Sequence, residues 1–189
     1  GHHGGVLGIA MDPPALAAVT AGQDGIVKVW DVRARRCTHT IQGHQGPVNA
    51  ICMTEDCRVA ISGGEDRTLR VWHPGSGKLI ATFEGHQAPV RAVAIGYNGK
   101  LAASCGLDRT VRLWDVATGR CLNTLTGHAH ETTGVAFPRD LKQMFSSSRD
   151  KKAAAWCLGI TKDGHTAPTI ICHAVSSEAA QSMDKAFEG

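Results

Sequence analysis

A spacing of 42 residues constrains the fold of this chain more than any other feature of its sequence. Four kinds of residue recur at this interval in constant phase: a His that follows Gly, a Ser or Thr, an Asp and a Trp. They are His2, His44, His86 and His128; Thr20, Ser62, Ser104 and Ser146; Asp24, Asp66, Asp108 and Asp150; and Trp30, Trp72, Trp114 and Trp156. A period of 20–50 residues is typical of repeat architectures, in which each repeat packs against its neighbours. The sequence therefore predicts four stacked repeats.

Each repeat has the pattern of four short β-strands. In the second repeat, apolar and polar residues alternate over residues 47–53, 59–63, 68–72 and 79–84, as they do in half-buried strands. Turn-forming residues separate these segments. Four strands joined by short turns form an antiparallel sheet, and a neighbouring sheet must stack on it to bury its faces.

The period also sets the predicted units along the chain. The repeats occupy residues 1–42, 43–84, 85–126 and, in degenerate form, 127–175. In the fourth repeat, alanines at 153–155 replace the β-branched residues of the first, and the outer strand is expected within residues 169–174. Residues 176–189 are rich in Ala, Ser and Glu and are expected to form a flexible tail or a short helix.

These residues resemble the WD-repeat family, which has a Gly-His near the start of each repeat and a Trp-Asp at the end of the third strand. Trp30-Asp31 and Trp114-Asp115 keep that dipeptide, whereas Trp72-His73 and Trp156-Cys157 depart from it. The resemblance covers about residues 1–160. It implies an all-β fold, a β-propeller with four blades of four antiparallel strands.

The number of blades leaves the assembly open, because rings of this family usually have about seven. Three arrangements remain: a strained four-blade ring, a homodimer that completes an eight-blade ring, and an incomplete, open part of a larger propeller. Each blade takes all its strands from its own segment, so no strand latches the two ends together. We expect the chain to be part of a larger propeller, since it starts directly on a Gly-His.

The recurring His, Ser or Thr and Asp have the residue types of a hydrolase triad. A catalytic triad is one constellation with an oxyanion hole, however, and four equivalent sets would mean four active sites. The family resemblance implies instead that each set forms a buried hydrogen-bond tetrad with its Trp. A buried indole N–H needs an acceptor, and a carboxylate fixes the tautomer of an imidazole. We therefore predict no catalytic residue and no enzyme.

No cofactor or metal site is expected either. The adjacent histidines His2 and His3, and the pair His128 and His130, have no nearby carboxylate or thiol cluster to complete a metal site. One member of each pair already belongs to a predicted tetrad.

Partner binding is predicted on one face of the propeller. In the family, the loops between strands d and a and between strands b and c form a top face, where partners contact residues early in strand a and the residue before the tetrad Asp. By phase these are Leu7, Asn49, Arg91 and Thr133, and Gln23, Glu65, Leu107 and Arg149. The alternative is a plain solvated rim. The implied function is a non-enzymatic scaffold for protein–protein interaction, with other proteins or peptides as partners.

A second function is suggested by residues 19–33, which end in Trp-Asp-Val-Arg. This ending is similar to the box by which WD-repeat substrate receptors dock onto the adaptor of a cullin-type ubiquitin ligase. Asp31 and Arg33 would then contact the adaptor. The alternative is that Arg33 only begins a basic turn, because many WD repeats have this ending without that role.

Composition argues against two other classes of partner, nucleic acid and the membrane. The formal net charge is only +3, which is small for a nucleic-acid binder, and no apolar run approaches the length of a membrane span. The seven cysteines lie mostly in apolar segments without the spacing of a zinc site. They are expected to be reduced thiols, which favours an intracellular protein, in the cytoplasm or alternatively in the nucleus.

Overall fold

A computed structural model describes residues 1–14, 16–96, 99–139 and 141–158, and the backbone of residues 172–175. All its regular structure is β-strand, arranged as four antiparallel sheets of four strands. The described residues hold no helix that is long and apolar enough to cross a membrane. The predicted all-β class and the four-by-four arrangement of strands are confirmed.

Each sheet is one blade, and its four strands follow one another along the chain. The strands are β1 (Val6–Met11), β2 (Ala17–Gly22), β3 (Ile26–Asp31) and β4 (Arg36–Gln42) in blade 1; β5 (Val48–Met53), β6 (Ala60–Gly64), β7 (Leu69–His73) and β8 (Lys78–Phe83) in blade 2; β9 (Val90–Ile95), β10 (Leu101–Gly106), β11 (Val111–Asp115) and β12 (Cys121–Leu125) in blade 3; and β13 (Thr132–Ala136), β14 (Gln143–Ser148), β15 (Ala153–Cys157) and β16 (Cys172–Val175) in blade 4.

The strands of blade 2 lie within one residue of the predicted segments. The first begins at Val48 rather than at residue 47, because Pro47 has no N–H to donate to a neighbouring strand. In blade 4 the outer strand is Cys172–Val175. The earlier part of its predicted range, residues 169–171, lies outside the described residues, as do residues 176–189.

The hydrophobic core lies between blades. We call the surface of a blade that faces the next blade in sequence its forward face, and the opposite surface its backward face. The junction of blades 1 and 2 buries Val19, Ala21, Val27, Val29 and Ile41 from the forward face of blade 1 with Val48, Ile51, Ala60 and Trp72 from the backward face of blade 2. Equivalent clusters fill the next two junctions. Successive side chains of a strand point to opposite faces of the blade and so pack into two different cores, one on each side of it.

The blades form an open arc. The inner strands β1, β5, β9 and β13 pack successively against one another, but within the described residues no comparable packing joins blade 4 to blade 1. The backward face of blade 1 is consequently bare: Val6 is 56% exposed whereas its equivalent Val48 is 0% exposed, and Ile9 is 63% exposed whereas Ile51 is 7% exposed. The closed four-blade ring is thus not formed, which agrees with an incomplete propeller.

Candidate functional site on the top face

The four tetrads predicted by phase are hydrogen-bonded sets. In each, the Trp indole N–H donates to the Ser or Thr oxygen over 2.7–2.9 Å. The hydroxyl lies 2.7–2.8 Å from His Nε2. His Nδ1 lies 2.7–3.1 Å from the Asp carboxylate. If the proton of each imidazole is on Nδ1, every group has a partner along the chain from indole to carboxylate.

The Asp of each tetrad also joins two loops, a role that the sequence pattern did not indicate. Its carboxylate accepts the backbone N–H of the residue after the tetrad His, as Asp66 does from Gln45 at 3.0 Å. The equivalent bonds come from His3, Gln87 and Ala129. A second backbone N–H, two residues after the Asp, donates to the same carboxylate, as in Thr110 to Asp108 at 3.1 Å. The tetrad therefore ties the loop before strand a to the turn between strands b and c.

These contacts keep the tetrad carboxylates ionised. Burial raises the pKa of Asp150, but hydrogen bonds from His128, the Ala129 N–H and the Lys152 N–H outweigh that effect and lower the pKa to about 2. The pKa of Asp108 is lowered in the same way and further, chiefly by His86 against the opposing effect of burial. Burial lowers the pKa of His44, although Asp66 opposes that change. A neutral imidazole held by a carboxylate is the charge state that these shifts favour in blade 2.

A further backbone bond places the two predicted partner-binding sets side by side. The N–H of the residue before each tetrad Asp donates to a carbonyl at the start of the blade: Gln23 to Gly5, Glu65 to Pro47, Leu107 to Pro89 and Arg149 to Glu131, over 2.8–3.0 Å. Each turn between strands b and c thus lies beside the entry to strand a. Together these loops form the top face of the arc.

Three of the predicted residues come together across the boundary of blades 2 and 3. The amide of Asn49 donates to Glu65 at 3.1 Å and to the carbonyl of Val90 at 2.8 Å. The guanidinium of Arg91 lies 3.5 Å from the same oxygen of Glu65. Asn49 and Glu65 are half-buried and Arg91 is exposed. This network holds a polar surface in a defined arrangement at a junction between blades.

The other predicted residues lie on the same face but outside this network. Leu7, Gln23, Thr133 and Arg149 are exposed, and Leu107 is half-buried. Arg149 lies 3.5 Å from Glu131, and Thr133 is hydrogen-bonded to Ser147 at 3.0 Å. The top face is therefore divided between a network at blades 2 and 3, one ion pair in blade 4, and mostly uncharged residues in blade 1.

Asp31 and Arg33 lie at the opposite, bottom end of blade 1: Asp31 is the last residue of β3, and Arg33 is in the turn between strands c and d. The carboxylate of Asp31 accepts the N–H of Ala34 at 2.8 Å, as the carboxylate of Asp115 accepts that of Thr118 at 2.7 Å in blade 3. Asp31 thus has a role in the turn that does not depend on a partner. Arg33 is exposed.

The described residues include no group of three or more His, Cys, Asp or Glu side chains placed to hold a metal ion. Six cysteines of the described part have free thiols. Burial raises the pKa of Cys52 to about 12 and that of Cys105 to about 11, so these two thiols are protonated near neutral pH. A protonated, buried thiol is a poor nucleophile.

Comparison with known families agrees with this geometry. The family model described as WD domain, G-beta repeat matches residues 1–31, 35–73, 77–115 and 119–157. No curated protein matches the chain. The four matched segments cover most of the sequence and each contains the strands that carry one tetrad. The chain therefore belongs to the WD-repeat family.

Proposed function

We propose that this chain is a non-enzymatic scaffold whose top face binds a partner protein or peptide. WD repeats generally mediate interactions between proteins. The observation that carries the proposal is the contrast between the tetrad positions and the top-face positions of the repeat. The tetrad positions carry the same residue types in all four blades, whereas the top-face positions carry Leu7, Asn49, Arg91 and Thr133, and Gln23, Glu65, Leu107 and Arg149.

The geometry of the top face supports this role. The bonds of each tetrad Asp hold the loops that present these residues, so the surface is organised before a partner arrives. A preorganised surface loses less conformational entropy on binding than a mobile one. Arg91 adds an exposed guanidinium that Glu65 orients, and arginine is enriched at the positions that dominate binding energy.

Replacing both Glu65 and Arg91 by Ala is expected to weaken partner binding at least about tenfold, because it removes the charged centre of the surface. The measurement is a quantitative pull-down with the wild-type chain and the double variant as baits, followed by titration of each captured protein in purified form.

The matched control is Glu55→Ala with Arg58→Ala. It also removes one exposed acid and one exposed base, but both lie in the turn between strands a and b, at the bottom end. A partner that binds both double variants as well as the wild type would refute the top face as its docking surface.

The bottom end carries the alternative function, that of a substrate receptor of a cullin-type ubiquitin ligase. It is favoured by the exposure of Arg33, whose equivalents in the next two blades are Gly75 and Ala117. In this role Arg33→Ala is expected to abolish capture of the ligase adaptor while leaving the circular dichroism spectrum unchanged. Arg36→Ala, at the first residue of β4, is the control. Equal capture by the wild type and Arg33→Ala would exclude this docking mode.

We also propose an intracellular location, in the cytoplasm or the nucleus. The free thiols of the described part support it, because exposed cysteines such as Cys37 and Cys121 remain reduced in such compartments.

A further inference from the structure

A row of basic side chains follows the tetrad Asp in three successive blades. Arg67, Arg109 and Lys151 occupy equivalent positions in the turns between strands b and c, and all three are exposed. The equivalent residue of blade 1 is Gly25. The top face of blades 2–4 thus has a basic feature that blade 1 does not share.

The backbone at these positions favours glycine. The φ angles are +65° at Arg67, +64° at Arg109 and +66° at Lys151, close to the +78° of Gly25. A residue other than glycine pays roughly 1–2 kcal/mol in this left-handed region. Glycine would fit the turn, as blade 1 demonstrates, so the fold does not require a basic side chain there. Other residues of the chain, such as Arg35 (φ +51°) and Cys57 (φ +57°), adopt the same region, so it is the exposed charge of the row, and not strain, that indicates a function.

The neighbouring acids do not neutralise this row. Glu65 pairs with Arg91 and Glu131 pairs with Arg149, each at 3.5 Å, so these two carboxylates already have basic partners. In the part of the chain that the structure describes, no ion pair involves Arg67, Arg109 or Lys151. The tetrad Asp carboxylates lie beneath the surface and accept hydrogen bonds from His and from backbone N–H groups. In blade 2 the carboxylate of Asp66 also has Arg70 as a partner, at 3.7 Å.

We infer that the top face of blades 2–4 binds an acidic segment of a partner protein through Arg67, Arg109 and Lys151. This inference rests on the proposed function of the top face as a docking surface. A carboxylate-rich segment fits because it offers acceptors to each unpaired cation along the row. Nucleic acid fits less well, because its binding usually adds aromatic stacking platforms to the basic groove. The described residues of the top-face loops include no Phe, Tyr or Trp.

The test uses the full chain and a fluorescein-labelled peptide of alternating Glu and Gly with six glutamates. A peptide of alternating Gln and Gly is the uncharged control. Binding is measured by fluorescence anisotropy at low and at high salt. We expect binding of the acidic peptide only, and weaker binding as salt screens the charges.

Two sets of variants assign that binding to the row. The triple variant Arg67→Gly, Arg109→Gly, Lys151→Gly is expected to lower affinity by about tenfold or more. Its melting temperature is expected to be unchanged or higher, because glycine adopts these φ angles without strain. If that variant is less stable, the triple change to Gln replaces it. The matched control removes three exposed cations from the bottom end: Arg58→Gln, Lys78→Gln, Arg120→Gln.

Glu65→Gln is expected to change the affinity for the acidic peptide in the opposite direction. It keeps a side chain that can accept the Asn49 bond but frees Arg91 from its carboxylate, so the affinity for the acidic peptide should rise. The inference is overturned if the wild-type chain does not bind the peptide, or if the bottom variant loses as much affinity as the glycine variant. It is also overturned if a single-stranded oligonucleotide of equal charge binds more tightly through the same three residues.

These outcomes separate the inference from the proposed function. If Glu65→Ala with Arg91→Ala abolishes capture of a natural partner while the acidic peptide does not bind, only the acidic specificity fails. If the peptide binds through the row but natural partners are unaffected by both top-face variants, the proposed docking surface fails.

Discussion

Trp114→Ala is expected to lower the free energy of unfolding by about 3–5 kcal/mol, the range for truncating a buried Trp. The indole is 1% exposed, stacks on Phe83 with ring centroids 5.6 Å apart, and donates to Ser104 at 2.8 Å. The change therefore opens a cavity between blades 2 and 3 and leaves a buried hydroxyl without its donor. Urea unfolding followed by circular dichroism measures the effect as a fall in the midpoint.

The matched control is Trp30→Ala in blade 1. Trp30 makes the same bond to its hydroxyl partner, to Thr20 at 2.9 Å, but it is only half-buried because no blade among the described residues covers the backward face of blade 1. Its loss should cost clearly less than that of Trp114. Equal costs would mean that the backward face of blade 1 is covered in solution, for example by a second copy, and sedimentation of the wild-type chain would then reveal an oligomer.

Asp108→Asn is expected to destabilise the chain by about 3 kcal/mol at neutral pH. The carboxylate accepts bonds from His86 at 2.7 Å, from the Gln87 N–H at 3.0 Å, and from the hydroxyl of Thr110 at 2.8 Å. An amide carries no charge for these donors, and its own NH₂ group meets donors where it needs acceptors. Unfolding by urea at a series of pH values measures the effect.

The dependence of stability on pH provides a second test of this prediction. The pKa of Asp108 is lowered in the folded chain from its usual 3.8. The unfolded state therefore binds the proton more readily, so the stabilisation is fully present well above pH 4 and is lost as pH falls from there towards the folded pKa. The difference between wild type and Asp108→Asn should shrink as pH falls below about 4. Glu84→Gln, which changes an exposed carboxylate after β8, is the control for general acid effects.

The 42-residue period predicted four equivalent units, alternation predicted four strands in each, and the resemblance to WD repeats implied the propeller; the success of the period has a physical reason. Residues that recur at the same position of the repeat occupy the same place in every blade, so they are expected to make the same contacts. The recurring His, Ser or Thr, Asp and Trp are the residues that hydrogen bonds connect into the four tetrads. Strand bounds followed from alternation, and the small difference at Pro47 followed from its missing N–H.

Features that depend on the relative position of blades were not accessible in this way. The network of Asn49, Glu65 and Arg91 spans two blades, so it depends on the rotation from one blade to the next, which no local pattern encodes. The same rotation determines whether four blades close into a ring. β-Bulges shift the register between strands c and d just before Trp30, Trp72 and Trp114, and the alternation of apolar and polar residues did not indicate them. The roles of the top-face residues in binding stay predictions.

Each described blade is built from its own consecutive strands, and this has a consequence for how such a chain changes over generations. Duplication of one 42-residue segment inserts a whole blade with its own tetrad, and the new junction has the same kind of contacts as those already present. Deletion of one segment removes a blade equally cleanly. The same holds for a 42-residue segment taken at any phase, because one full period restores the order of strands on both sides of the change. The number of blades can therefore change in a single genetic step, while the surface residues diverge independently from copy to copy.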